Sequence, residues 1–193
     1  FVSWAETYRW TKAILPPQVR AAYEQGMGCF LDQMIDVGPR AVNTNMDMFA
    51  LGGLVHLYMA ASSSEIRTKC VQAAKNALFG YPDGEIELKQ EVFKLEGVDK
   101  GVFDPSGFIM EGDQPDVFYG GESIYHVVAA LAAATDRDNK EVVPEWKFLE
   151  EVVFRLGQWR HYQMLYEPGV ASSSSGGIKA ATLYHAGAGF FAW

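Results

Sequence analysis

Cysteine is scarce: Cys29 and Cys70 are the only two in 193 residues. Both fall in amphipathic helical patterns, which predicts buried free thiols rather than a disulfide. Their spacing matches no zinc-binding arrangement, and no metal or other cofactor is expected. Long hydrophobic runs are missing too. No stretch approaches the ~18 apolar residues of a membrane-spanning helix, so no membrane partner is expected. Positive charge is the minority sign, with 16 Lys and Arg against 24 Asp and Glu, and the net charge of −8 argues against nucleic acid as a partner. A local anion site remains compatible with that balance, because the field varies over a surface. No secretory leader is readable. The ends, Phe1-Val-Ser-Trp and Gly-Phe-Phe-Ala-Trp193, are apolar where free termini are usually polar, which predicts a piece of a longer chain.

What is present is helical periodicity. The length and apolar content fit one domain, residues 1–193, or part of one. A helix is expected over 1–14, stopped by Leu15-Pro16-Pro17. A second covers 18–37, where Val19, Ala22, Tyr23, Met27, Phe30, Leu31, Met34 and Ile35 recur at intervals of three and four. Gly38-Pro39 ends it. A third, from about 45 to 61, is apolar nearly all round and therefore predicted to be buried on most sides. Ser62-Ser63-Ser64-Glu65 reads as an N-cap with an acidic first turn for a fourth helix, 65–78. Residues 79–84 read as a turn and 85–120 show no clear helical period; 85–88 and 91–95 are candidate short strands or a frayed helix. Helices resume at 121–135 and 144–166, the latter opening on Pro144 with Phe148, Val152, Leu156 and Trp159 as its stripe. A Ser/Gly-rich loop over 171–177 precedes a last helix, 178–193. The expected class is all-α: helical hairpins forming a full or partial α/α toroid, with long loops lining a cleft.

Chemistry-bearing residues concentrate in the loop from Ser106 to His126. It carries Glu111, Asp113 and Asp116 within six positions, then Tyr119 before Gly120-Gly121, then Tyr125 and His126. Paired carboxylates can divide acid and base roles if their surroundings separate their pKa values. Paired glycines let a backbone approach a ligand closely. A second constellation is Asn43, Asn45 and Asp47 at the start of the third helix. These are good capping and first-turn residues, and a helix N-terminus with an amide beside it can also hold a carboxylate. His185, among small residues of the last helix, and Arg160 are further candidates for a cleft. His56 and His161 are weaker ones.

Two motifs carry a resemblance. Thr44-Asn45-Met46-Asp47-Met48-Phe49-Ala50 resembles the Asn-Asn-His-x-Tyr-Trp-Ala segment of alginate lyases with the α/α-toroid fold. Ser106-Gly107-Phe108-Ile109, with the later Tyr125-His126, resembles their Asp-Gly-Tyr-Leu segment and its downstream Tyr-His. The same loop, with Met110-Glu111 and Tyr119-Gly120, is similar to the Gly-Ser-Phe-Ile-Gln-His and Tyr-Gly elements of hyaluronate, chondroitin and xanthan lyases. Together the motifs span about a third of the chain. Met46 and Glu111 stand where those families have histidines.

The resemblance implies β-elimination on a uronic-acid polysaccharide, with a secreted or periplasmic location. It gives Asn45 the substrate carboxylate, Tyr119 or Tyr125 the proton transfers, and His126 and Glu111 supporting catalytic roles. Asn43, Asp47, Asp113, Arg160 and His185 are the expected substrate-binding set. Two alternatives stand beside it: a glycoside hydrolase on the same scaffold, using Glu111 or Asp113 with Asp47, and a non-catalytic carbohydrate-binding or helical scaffold domain. About three hairpins are visible where six close such a toroid, so further toroid segments or a second subunit are expected partners.

Overall fold

A computed structural model describes residues 1–37, 44–80, 101–104, 108–111, 114–115, 120–136 and 138–166. The candidate strands or frayed helix at 85–88 and 91–95, and the helix expected at 178–193, lie outside the described residues. Within them the fold is all-α. Helices α1 (Val2–Thr11), α2 (Pro17–Val37), α3 (Thr44–Ala60), α4 (Ser64–Phe79), α5 (Gly120–Ala134) and α6 (Phe148–Tyr166) carry it. Short strands β1 (Phe103–Asp104), β2 (Phe108–Glu111) and β3 (Gln114–Pro115) form an antiparallel ribbon in the order β1-β2-β3. This ribbon corrects the expectation of an unbroken loop from 106 to 126. Phe103 pairs with Ile109, and Glu111 pairs with Gln114. Ile109, Val102 and Phe103 are buried, so the ribbon is held by apolar contact with the helices as well as by its ladder.

The helices pair as hairpins. In the first, Phe1 stacks on Phe30, the Tyr23 hydroxyl donates to the Trp4 carbonyl at 2.6 Å, and Tyr8 donates to Glu24 at 2.7 Å. Residue numbers rise along α1 as they fall along α2, so the two run antiparallel. Helices α3 and α4 are joined across Ala61–Ser63, where Ser63 caps α4 by accepting from the Ile66 amide at 3.5 Å. Arg67 folds back onto the Ala61 carbonyl, at 3.0 Å from Nε and 2.8 Å from Nη2.

Helix α3 is the centre of the bundle, and its composition explains why. Met48, Leu51, Leu54, Val55 and Leu57 are all fully buried, covering more of its circumference than a one-sided stripe would. It packs against α1, α4 and α5. Gly52 and Gly53 face α1: a Cβ on Gly53 would lie 2.8 Å from the Phe1 ring and 3.0 Å from the Val2 Cα. Those contacts at one end and Lys12 Nζ on the Ala60 carbonyl at the other show α1 and α3 running parallel. Helices α2 and α4 are parallel as well, joined by Glu24 to the Ser62 amide and Asp32 to Lys69. Odd helices therefore neighbour odd, and α2 neighbours α4.

A polar knot ties the first two hairpins together. Glu24 accepts from Tyr8 and from the Ser62 amide at 3.0 Å, with Lys12 3.8 Å away. Burial pushes the Glu24 carboxyl up, but those hydrogen bonds and the lysine charge outweigh it and hold the pKa below the usual range. Burial, followed by the bond to Glu24, pushes the Tyr8 hydroxyl up. Cys70 is buried as expected, whereas Cys29 is exposed, because α2 turns Met27 and Leu31 inward and carries Cys29 on the outer face.

Candidate functional site

The start of α3 and the start of α5 lie at the same end of the bundle. The ring of Phe49 meets the ring of His126 edge-on, with centroids 5.0 Å apart. Seven residues further along each helix, a single nitrogen of Arg9 reaches both His56 Nδ1 at 3.2 Å and the Ala133 carbonyl at 3.0 Å. Matching offsets of seven, about 10 Å of helix rise, define a parallel pair. Extending the register back aligns the first turn of α3, which contains Asn45 and Asp47, with the first turn of α5 around Gly121.

The ribbon comes to this end too. Because α4 runs antiparallel to α3, it finishes beside the start of α3. There the Val102 amide donates to the Ala77 carbonyl at 3.0 Å and Phe103 meets Phe79 edge-on, with centroids 6.0 Å apart. Strand β2, which ends in Glu111, also packs against α3, α5 and α6. Three chain segments remote in sequence thus share one end: the turn bearing Asn45 and Asp47, the strand bearing Glu111, and the turn leading to Tyr125 and His126.

Two helix N-termini side by side expose amide groups without intrahelical partners, and their partial positive charges add. Such an end favours an anion. Ser123, in the first turn of α5, is fully buried and its hydroxyl has no hydrogen-bond partner among the described residues. It heads the inward stripe of α5 that continues through Val127, Ala130 and Ala134. A Ser near a helix start is ordinarily a cap, so Ser123 carries no distinctive signal in the sequence.

Of the predicted catalytic residues, Tyr125 is 69% exposed on α5, and its ring lies 5.8 Å from that of His126. The exposure decides against a packed core role for this tyrosine. His126 is half-buried against Phe49. Asn45 and Asp47 are in the first turn of α3, Glu111 closes β2, and Arg160 is within α6. Asn43, Asp113, Tyr119 and His185 lie outside the described residues. Among the described residues, no cluster of three His, Cys, Asp or Glu side chains has the closeness of a metal site. No described helix is long and apolar enough to cross a membrane.

His56, a weaker candidate in the sequence because Val55 and Leu57 flank it, has a specific polar contact through Arg9. A signal existed on one side only: His56 is a polar interruption in the apolar helix α3. Nothing in the linear sequence aligned it with Arg9. Comparison of the chain with protein-family models, with curated proteins and with solved structures found no match.

Proposed function

We propose that this protein is a polysaccharide-active enzyme on a partial α/α toroid, a lyase that cleaves a uronic-acid-containing glycan by β-elimination. The observation that carries the reading is the parallel register of α3 and α5. With the packing of β2, it gathers the Asn45 turn, the Glu111 strand and the Tyr125-His126 turn at one end, although up to 81 positions separate them in sequence. The toroid draws support from the packing of odd helix on odd helix, α2 on α4, and an α3 that is apolar on most sides. The row of odd helices is open at its flanks. Tyr125, Ala129 and Ala132 are exposed along α5, while Trp4 and Trp10 are exposed on α1. Further toroid segments or a second subunit would continue the row there.

The chemistry suits these residue types. A uronate C5 proton resists removal while the adjoining carboxylate keeps its full charge. Asn45 donates to that carboxylate, and the helix ends add partial positive charge, so the charge that develops as the proton leaves is stabilised. Tyr125 or Tyr119 takes the C5 proton. The electron pair forms the C4–C5 double bond, the C4–O bond breaks, and a proton passes to the leaving oxygen. A tyrosine does this near neutral pH only beside a cation, the role assigned to His126, with Arg160 and His185 as further cations. Glu111, Asn43, Asp47 and Asp113 are assigned to the sugar hydroxyls.

Incubation with a panel of uronic-acid polysaccharides tests this reading. Products should absorb as conjugated enol-uronates, and Asn45→Ala and Tyr125→Phe should each lower turnover by about 100-fold or more. Saturated new ends would favour the second reading, hydrolysis by Glu111 or Asp113 with Asp47. That alternative is motivated by Glu111 standing where the lyase motifs carry histidine. Binding without cleavage by the parent protein would indicate a carbohydrate-binding module.

A further inference from the structure

We propose that Arg9 and His56 form an acid-released clasp, closed while the His56 ring is neutral, that holds α1 to α3 and α5. The inference is independent of the catalytic reading and rests on one atom's contacts. Nη1 of Arg9 lies 3.2 Å from His56 Nδ1 and 3.0 Å from the Ala133 carbonyl oxygen. This nitrogen carries two hydrogens, and here it has two acceptors. Arginine donates only and stays charged throughout the physiological range. His56 Nδ1 must therefore be the accepting nitrogen, and the neutral ring carries its proton on Nε2.

Protonation removes the basis of that contact. The Nδ1 lone pair is consumed, two donors face each other, and two positive charges stand one hydrogen-bond length apart. Arg9 cannot neutralise itself, so it must withdraw. Withdrawal also strips the cation from the Ala133 carbonyl in the last turn of α5, where a positive charge is favourable. One proton thus loosens α1 from two helices at once.

Among the described residues, the neighbouring charges do not cancel this effect. On α1, Glu6 is the opposing group: it favours the charged ring, but burial first and the Arg9 charge second prevail and hold the His56 pKa below its ordinary value. On α5, residues 127–134 carry no titratable side chain. The α4 charges are directed elsewhere: Arg67 to the Ala61 carbonyl and over the Tyr58 ring, Lys69 to Asp32 and Glu65, and Lys75 over the Phe148 ring. The strand ribbon, with Asp104, lies at the far end of α3.

The test is hydrogen exchange of the α1 amides, with NMR titration of the His56 ring, on the full chain. Between about pH 7.5 and pH 5, protection in α1 should fall about tenfold in the parent. His56→Gln keeps a neutral acceptor that cannot take up a proton, so its α1 protection should change less than about twofold over that range. Arg9→Gln should move the His56 titration upward. Equal acid sensitivity in the parent and His56→Gln would overturn the proposal. So would a His56 ring in the parent that titrates at or above about pH 6.5, and that measurement needs no variant to fold.

Discussion

Replacing Gly101 by alanine should destabilise the protein by about 2–3 kcal/mol, and the components can be worked from the backbone. Gly101 has a φ of +72°, in the left-handed region, where a Cβ costs roughly 1–2 kcal/mol. An added Cβ would also overlap the Gly80 nitrogen and lie 2.6 Å from the Leu78 carbonyl oxygen and 2.6 Å from the Phe79 carbonyl carbon. All three are main-chain atoms, so no rotamer change relieves the overlap. The chain entering β1 must move off the end of α4, which weakens the Val102 amide bond to Ala77, another ~1 kcal/mol. For a chain of this length, the total corresponds to a fall in Tm of about 5–10 °C. Urea unfolding followed by circular dichroism measures it, with a lower midpoint expected at an unchanged slope. Gly26→Ala is the internal control. That glycine is within α2 with nothing inside 4 Å of an added Cβ, so the same replacement should stabilise by about 0.5–1 kcal/mol. A Gly101→Ala protein as stable as the parent would refute the account of how the ribbon is anchored to α4.

Leu54→Ala should cost about 2–5 kcal/mol in the same unfolding assay, since Leu54 is fully buried in the helix packed by three others. With a thiol reagent, the native protein should label at exposed Cys29 only. Cys70 should react only in denaturant, because burial pushes its thiol up to about 12 and shields it. Glu24 has its folded pKa depressed, so its contribution is present above the unfolded value of about 4.3 and is lost as pH falls through the lower folded value. Glu24→Gln should remove that component of the acid sensitivity, seen as a shallower fall of Tm below about pH 4.5. The His56 component lies at higher pH, because a depressed histidine pKa makes the unfolded state bind more protons from about pH 6.5 downward.

The helices were legible because each carries a local signal. Leu15-Pro16-Pro17 punctuates α1, Ser63 caps α4, and the continuous apolar surface of α3 announces a buried helix. The ribbon was not legible. Its strands are two to four residues long, too short for alternation to show, and they owe their form to pairing and to the buried Ile109 rather than to propensity. The exposure of Cys29 was missed for a related reason. A helix flanked on one side only decides its inner face by which neighbours exist, and the neighbours of α2 are a tertiary fact.

The candidate site was legible as residue types but not as an arrangement. Asn45 and His126 could each be singled out, yet that their helices begin at the same end depends on α3 and α5 being parallel neighbours, which no local signal shows. Helix α4 returns the chain to the start of α3, the ribbon packs there, and α5 begins at that same end. Every hairpin that repeats this path delivers another helix N-terminus and another inter-hairpin loop to the same rim. A cleft that favours anions would then follow from the topology before any particular side chain is considered. In the proposed reading, Asn45, Tyr125 and His126 would refine a site to which the helix N-termini contribute partial positive charge. The clasp at Arg9 and His56, one helical segment away from the rim, is placed to hold the first helix of that row in register.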